Sequence, residues 1–83
     1  MATKPNGLLI QWGTTSITDN KLTQQPIESY SSTSSYFLLA TSIADSDRWA
    51  TGVKYSASII KLAITSDGGY HQNGSVDWFT IGY

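Results

Sequence analysis

The chain has 83 residues, no cysteine and a net charge of −1, with only five lysines and arginines. This length allows one small domain with a thin core, for which oligomerisation is a common supplement. The lack of cysteine excludes disulfides and thiolate metal sites. The scarcity of basic residues argues against nucleic acid or an anionic membrane surface as a partner. No apolar run approaches the ~20 residues of a membrane span, and no signal peptide is visible.

The chain opens with a short lead-in, residues 1–6, followed by a predicted β-strand. Leu8, Ile10 and Trp12 alternate along this strand, so we expect them on one face of a sheet. Gly13 marks either a bulge or a close approach of another segment. The strand is predicted to continue to residue 18.

Turn and loop chemistry divides the rest of the chain. The polar turn Asp19–Lys21 predicts a hairpin between the first two strands. Pro26 cannot donate to a ladder and therefore marks a strand end or an edge. The serine-rich Glu28–Ser35, the charged Ala44–Gly52 and the polar Tyr70–Gly74 are predicted as loops.

The last stretch is predicted to organise the sheet. Val76 and Trp78 fall on one face of this strand, whereas Phe79, Ile81 and Tyr83 fall on the other. A strand that is apolar on both faces is usually central or sandwiched between layers. We therefore expect a central strand whose end is packed.

Taken together, the pattern predicts an all-β domain over residues 7–83. We expect a small antiparallel β-sandwich or barrel-like sheet pair of five to six strands. The predicted strands are Leu8–Trp12 with its continuation to Thr18, Lys21–Gln25, Tyr36–Ile43, Val53–Thr65 with a bulge or break at Ser58–Ile59, and Asp77–Tyr83.

Residues that could support catalysis are few. His71 is the only histidine, and no nucleophile and acid are singled out to accompany it. It is typical of a solvated loop histidine, unless three copies meet on a trimer axis and bind a metal. Asp45 and Asp47 are spaced like turn formers, although glycoside cleavage also uses two acids. We predict a protein that is not an enzyme and needs no cofactor.

Aromatic residues beside polar groups in the predicted loops indicate a sugar-binding surface. An aromatic ring covers the apolar face of a sugar, while fixed polar groups bond its hydroxyls. The alternative for Trp49 is a core plug beneath its loop. We expect Ala44–Gly52 and Asp67–Asn73 to supply most of the surface, because loops on a rigid sandwich are free to carry function. The candidate receptor- or sugar-binding residues are Tyr30, Asp45, Asp47, Arg48, Trp49, Asp67, Tyr70, His71 and Asn73.

The two ends of the chain resemble a known family. The opening segment Asn6–Gly13 (NGLLIQWG) and the closing segment Trp78–Tyr83 (WFTIGY) are similar to the strands that bracket the C-terminal domain of bacteriophage tail fibres. Gln24–Ile27 (QQPI) resembles the family's middle F-P-I stretch but lacks its usual aromatic before the proline. The resemblance spans the whole chain, and its specificity lies in the two ends.

This resemblance implies an antiparallel β-sandwich similar to small H-type lectin domains. It implies a homotrimer at the distal tip of a virion fibre, made in the host cytoplasm, that attaches to a bacterial surface glycan or outer-membrane receptor. A chain that begins so close to its first strand is expected to be an excised tip or a very short fibre protein. The alternatives are a purely structural trimerisation cap and a free sugar-binding lectin. The predicted core or interface residues are Ile10, Trp12, Trp78, Phe79, Ile81 and Tyr83.

Overall fold

The structure, a computed structural model, describes residues 1–18, 21–43, 48–66 and 71–83. The strands in this part of the chain form two antiparallel sheets, which confirms the all-β prediction. Sheet A has the order β1-β2-β8-β4. In sheet B, β6 lies between β5 on one edge and β3 with β7 on the other. The strands are β1 (Ala2–Thr3), β2 (Leu9–Ile17), β3 (Thr23–Pro26), β4 (Tyr36–Ile43), β5 (Arg48–Lys54), β6 (Ile59–Ser66), β7 (His71–Gln72) and β8 (Gly74–Gly82).

Strand β8 is central in sheet A, as the apolar character of both its faces predicts. It pairs with β2 along one edge and with β4 along the other. Val76 and Trp78 are buried in the interior, whereas Phe79 and Ile81 are only partly buried. Alternation along the strand places this second pair on the outer face of the sheet.

Most of the core residues that sheet B provides lie on β6. Three alternating aliphatic side chains of β6 are completely buried: Ile60, Leu62 and Ile64. A turn at residues 56–58 joins β5 to β6, and the Tyr55 amide donates to the Ile59 carbonyl oxygen at 3.2 Å. The change of phase predicted at this point is therefore a break between two strands.

The core closes around a stacked pair of tyrosines. Tyr30 is 3% exposed and Tyr36 is 1% exposed, and their ring centroids lie 4.3 Å apart with an interplanar angle of 10°. The Tyr30 hydroxyl donates to the Leu9 carbonyl oxygen at 3.1 Å and is hydrogen-bonded to the Thr80 hydroxyl at 2.8 Å. The Glu28–Ser35 segment forms no strand, as predicted, yet it contributes this core residue.

Close approaches fix the position of β8. A Cβ atom on Gly13 would lie 3.0 Å from a ring carbon of Trp78, which confirms the close approach predicted there. A Cβ atom on Gly82 would overlap the Ser35 carbonyl oxygen and lie 2.5 Å from the Cα of Tyr36. The Tyr83 amide donates to the same Ser35 carbonyl at 3.1 Å, so the chain end is held by its backbone while the Tyr83 side chain is 65% exposed.

Three local predictions are wrong. The first two strands form no hairpin, because β2 lies in sheet A and β3 lies in sheet B; the Thr15 hydroxyl instead donates to the Gln25 side-chain oxygen across the interior at 2.7 Å. The Ala44–Gly52 segment is not wholly a loop, since its second half belongs to β5. The Tyr70–Gly74 segment contains β7. The expected lead-in also contributes the edge strand β1, which pairs with β2.

Candidate functional site

The two segments predicted to form a binding surface meet on sheet B. Trp49 in β5 lies opposite Thr65 in β6, and Thr65 lies opposite His71 in β7. These three residues form one row across three adjacent strands, which we call the Trp49 row (Trp49, Thr65 and His71). The row lies where β6 ends and β5 begins, at one end of the sandwich.

Trp49 projects from the outer face of sheet B. Its side chain is 47% exposed, whereas its neighbour Ala50 packs against the core. A Cβ atom on Gly52 would contact the Leu38 side chain at 3.0 Å, so residues 50 and 52 face sheet A. Successive side chains of a strand point to opposite faces. The core-plug alternative for Trp49 is therefore wrong, and this candidate lies on a strand instead of in a loop.

Hydroxyl groups lie beside the exposed indole. Thr51, on the same face of β5 as Trp49, has its hydroxyl 3.4 Å from the hydroxyl of Thr65. An indole face next to two hydroxyls can cover the apolar face of a sugar ring and exchange hydrogen bonds with its hydroxyl groups. The register thus brings an exposed indole and two hydroxyl groups together from β5 and β6.

The other sequence candidates are distributed more widely. Arg48 lies opposite Ser66, and alternation places it on the inner side of β5, away from the face of Trp49. Its carbonyl oxygen accepts a hydrogen bond from the Ser42 hydroxyl at 3.4 Å. Asn73 is exposed between β7 and β8. The remaining candidates lie outside the described residues: Asp45, Asp47, Asp67 and Tyr70.

Tyr30 belongs to the interior, which corrects its prediction as a surface contact. Its hydroxyl is engaged with Leu9 and Thr80, and its ring stacks on Tyr36. Burial, together with the neighbouring Tyr30, raises the pKa of Tyr36. The Tyr36 hydroxyl donates to the Ser56 carbonyl oxygen at 2.8 Å. The burial of Tyr30 could not be predicted from its serine-rich neighbours, because composition does not reveal that this loop folds back over the core.

Sheet A carries an exposed apolar surface, of which sequence reasoning named four members as core or interface residues and missed two, Phe37 and Leu39. Phe37 is 76% exposed, Leu39 is 67% exposed and Trp12 is 39% exposed. The register aligns six outward residues in two adjacent rows across β2, β8 and β4. We call this surface the apolar face; its rows are Ile10–Ile81–Phe37 and Trp12–Phe79–Leu39.

The side chains of β2 alternate in the opposite phase to the one predicted. The residues expected in the core therefore point outward and become part of the apolar face. Gln11 and Thr15 are buried, whereas Ile10 is only partly buried and Trp12 is exposed. The buried polar side chains are hydrogen-bonded, so the interior tolerates them. Trp12 is therefore not a core residue, and its role as an interface residue stays a prediction.

A cleft of about 460 Å³ opens beside β1 and β3. The Gln11 amide donates to the Glu28 carbonyl oxygen at 3.0 Å, and the Glu28 amide donates to the Gln11 side-chain oxygen at 2.8 Å. The Trp78 indole donates to the Thr15 hydroxyl at 3.0 Å, which in turn donates to Gln25. These side chains hydrogen-bond to one another. The bond between Thr15 and Gln25 links sheet A to sheet B beside the cleft.

The described part of the chain offers no cluster of His, Asp or Glu residues able to hold a metal. Within the same residues no helix is long and apolar enough to cross a membrane. The metal site suggested for three copies of His71 would lie between subunits, and it stays a prediction.

Comparison with protein families identifies a match over almost the whole chain. A family model described as "Putative tail fiber protein gp53-like, C-terminal" matches residues 3–83. A search of the curated proteins and a search of the solved structures returned no significant match. The family match includes the two chain ends that carry the resemblance and the whole sequence between them.

Proposed function

This chain belongs to the gp53-like C-terminal family of phage tail fibre proteins, and on that premise we propose that it is the receptor-binding tip of the fibre. Membership of the family implies a component of the virion. The proposal adds that the domain lies at the distal end, assembles as a homotrimer, and attaches to a glycan or protein of the bacterial surface without catalysing a reaction.

The exposed indole of Trp49, within the Trp49 row, is the observation that supports a binding role. The Trp49 indole is 47% exposed on a sheet face, and the register of the sheet places two threonine hydroxyls beside it. Aromatic side chains with adaptable polar neighbours are typical of recognition surfaces. Glycans suit this surface best, because sugars present both apolar C–H faces and hydroxyls.

A trimer would make a weak single site sufficient for attachment. Three copies of the row on one fibre tip convert later binding events into intramolecular ones, so avidity can exceed the affinity of one site by roughly 10²–10⁴-fold. A shallow, open row on a sheet face is compatible with modest affinity per subunit. The proposal therefore does not require a deep pocket.

The test replaces Trp49 with alanine and measures adsorption of the protein to host bacteria and to a glycan array. Val53→Ala is the matched control, because Val53 lies on the same strand and face and is 43% exposed. We expect Trp49→Ala to lower adsorption by at least about tenfold, the equivalent of ~1.4 kcal/mol. The melting temperature of both variants should stay close to that of the wild type.

The second candidate is a purely structural trimerisation cap, and the apolar face of sheet A favours it. A cap needs a surface for other copies of the chain but no recognition site. Unchanged adsorption of both variants, in a protein that still assembles, would favour the cap over the receptor-binding tip.

A further inference from the structure

We propose that the apolar face of sheet A is the surface through which copies of this chain pack together, with sheet A turned toward the threefold axis of the trimer. This inference rests on the proposed homotrimer and assigns its interface. Sheet B, which carries the Trp49 row, would then form the outside of the assembly.

The three most exposed residues of the apolar face supply about half of the area that one partner buries in a standard interface. Phe37, Leu39 and Trp12 are 76%, 67% and 39% exposed. Large side chains have ~150–250 Å² to bury, so these three alone expose on the order of 350–450 Å². Standard interfaces bury ~800 Å² on each partner, and contiguous apolar patches of a few hundred Å² mark interaction sites.

The charge distribution favours a second copy of this chain as the occupant. A symmetric assembly brings identical surfaces close to one another, so a charged patch would meet its own charge. The six side chains of the apolar face carry no charge, and the ammonium group of Met1 lies at its β1 edge, where it donates to the Trp12 carbonyl oxygen at 2.6 Å. The nearest charge along β8 is Asp77, at the border of the face, where the Thr14 hydroxyl donates to its carboxylate at 2.6 Å. An uncharged core with a polar rim is the usual anatomy of an interface.

The relief of the face also suits close packing. A depression of about 150 Å³ lies between β4 and β8, lined by residues that include Leu39, Asp77 and Phe79. It borders the protruding side chains of the Trp12–Phe79–Leu39 row. A side chain of a neighbouring copy could fill it, as knobs fill holes where two surfaces are complementary.

The test measures association by sedimentation equilibrium at micromolar concentration and below. Leu39→Lys places a charge within the face, at its β4 side, and Val53→Lys places the same charge on sheet B as the matched control. We expect a trimeric wild type, a trimeric Val53→Lys variant, and a Leu39→Lys variant whose association is weaker by roughly 100-fold or more, because a buried unpaired charge is strongly unfavourable.

A second measurement guards against a Leu39→Lys variant that fails to fold. Because the chain has no cysteine, Leu39→Cys and Val53→Cys each provide a single thiol for a short bismaleimide cross-linker. Leu39→Cys should give covalent dimers efficiently and Val53→Cys should not. Equal cross-linking from the two positions would overturn the inference.

The outcomes separate this inference from the proposed function. A Leu39→Lys variant that stays trimeric would place the interface elsewhere and leave the homotrimer intact. A wild type that remains a folded monomer would overturn both the trimer and its interface, and would assign the face to a different partner. Adsorption to bacteria, read separately through Trp49→Ala, judges receptor binding whatever the sedimentation result.

Discussion

The outward side chains of sheet A and sheet B differ in polarity and in their contacts with one another. On sheet B the outward side chains interact with each other: the Thr51 and Thr65 hydroxyls lie 3.4 Å apart, and the Lys61 ammonium lies 3.9 Å from the centroid of the Tyr55 ring. On sheet A the outward side chains are largely apolar, with Phe37 76% exposed. The contrast indicates that outward side chains of sheet B stabilise one another, whereas the largely apolar side chains of sheet A are suited to packing against another copy of the chain.

Both faces depend on the interior that separates them, and the largest expected effect comes from disturbing it. Gly82→Ala would force a Cβ atom onto the Ser35 carbonyl oxygen and close to the Tyr36 Cα. Neither is the end of a flexible side chain, so the pairing of β8 with β4 must open. We expect a loss of more than about 3 kcal/mol in the free energy of unfolding, measured by urea denaturation.

The control for Gly82→Ala is Gly52→Ala. Its new Cβ atom would meet the Leu38 side chain at 3.0 Å, and this side chain can shift. We expect Gly52→Ala to be clearly less destabilising. Equal stability losses in the two variants would mean that the fit of β8 against β4 is not what holds the two faces in place.

The next effect distinguishes the two sides of sheet A. Trp78 is 8% exposed and Trp12 is 39% exposed, although Trp12 lies on β2 next to β8. We expect Trp78→Ala to lower the unfolding free energy by about 3–5 kcal/mol. Trp12→Ala should lower it by about 1 kcal/mol or less at concentrations where the chain is monomeric. A Trp12→Ala loss as large as that of Trp78→Ala would contradict the outward orientation of Trp12.

The two tryptophans also show how far sequence reasoning extends. The last strand was predictable because Val76, Trp78, Phe79 and Ile81 are apolar on both faces, and only a central strand suits that pattern. The phase of β2 was not predictable in the same way. Its inward side is partly polar, and its outward side has the apolar residues that a period-two reading assigns to a core. Binary pattern identifies the core face reliably only when the other face is exposed to water.

The candidate site was predictable in its segments but not in its geometry. The concentration of aromatic and polar residues near Trp49 and His71 indicated two segments that sheet B places on either side of β6. The contribution of Thr65 depends on the pairing of β6 with both β5 and β7, and no local signal in the sequence gives that register. The exposure of Trp49 and the burial of Tyr30 likewise follow from tertiary packing, because both occur in similarly polar surroundings.

Alkaline pH should lower the free energy of unfolding of the whole domain by a moderate amount, so both faces are affected together. Burial first, and then Tyr30, raises the pKa of Tyr36 above its ordinary value. Below about pH 10 the tyrosine is protonated in both folded and unfolded chains. Above that pH the unfolded chain releases the proton before the folded one does, so the free energy of unfolding falls as pH rises through the folded pKa.

This pH dependence can be measured as the urea midpoint at a series of alkaline pH values. Tyr36→Phe should flatten the decline, although losing the bond to the Ser56 carbonyl also lowers its stability at neutral pH. Tyr83→Phe is the control, because its ring is 65% exposed. A decline unchanged in Tyr36→Phe would assign the alkaline sensitivity to other groups.

The smallest expected effect tests whether outward side chains of sheet B stabilise one another. The Lys61 ammonium lies 3.9 Å from the Tyr55 ring centroid, within the range of a cation–π contact, and Tyr55 is 56% exposed. A double-mutant cycle of Lys61→Met and Tyr55→Leu, measured by urea unfolding, should give a coupling energy of about 0.5–1 kcal/mol. Methionine keeps the unbranched stem of lysine, so the cycle isolates the charge.

None of these variants should change association, because the pair faces away from the apolar face. A coupling energy near zero would mean that outward groups on sheet B do not stabilise each other. The contrast between the two faces would then rest on the exposure of the apolar side chains of sheet A alone.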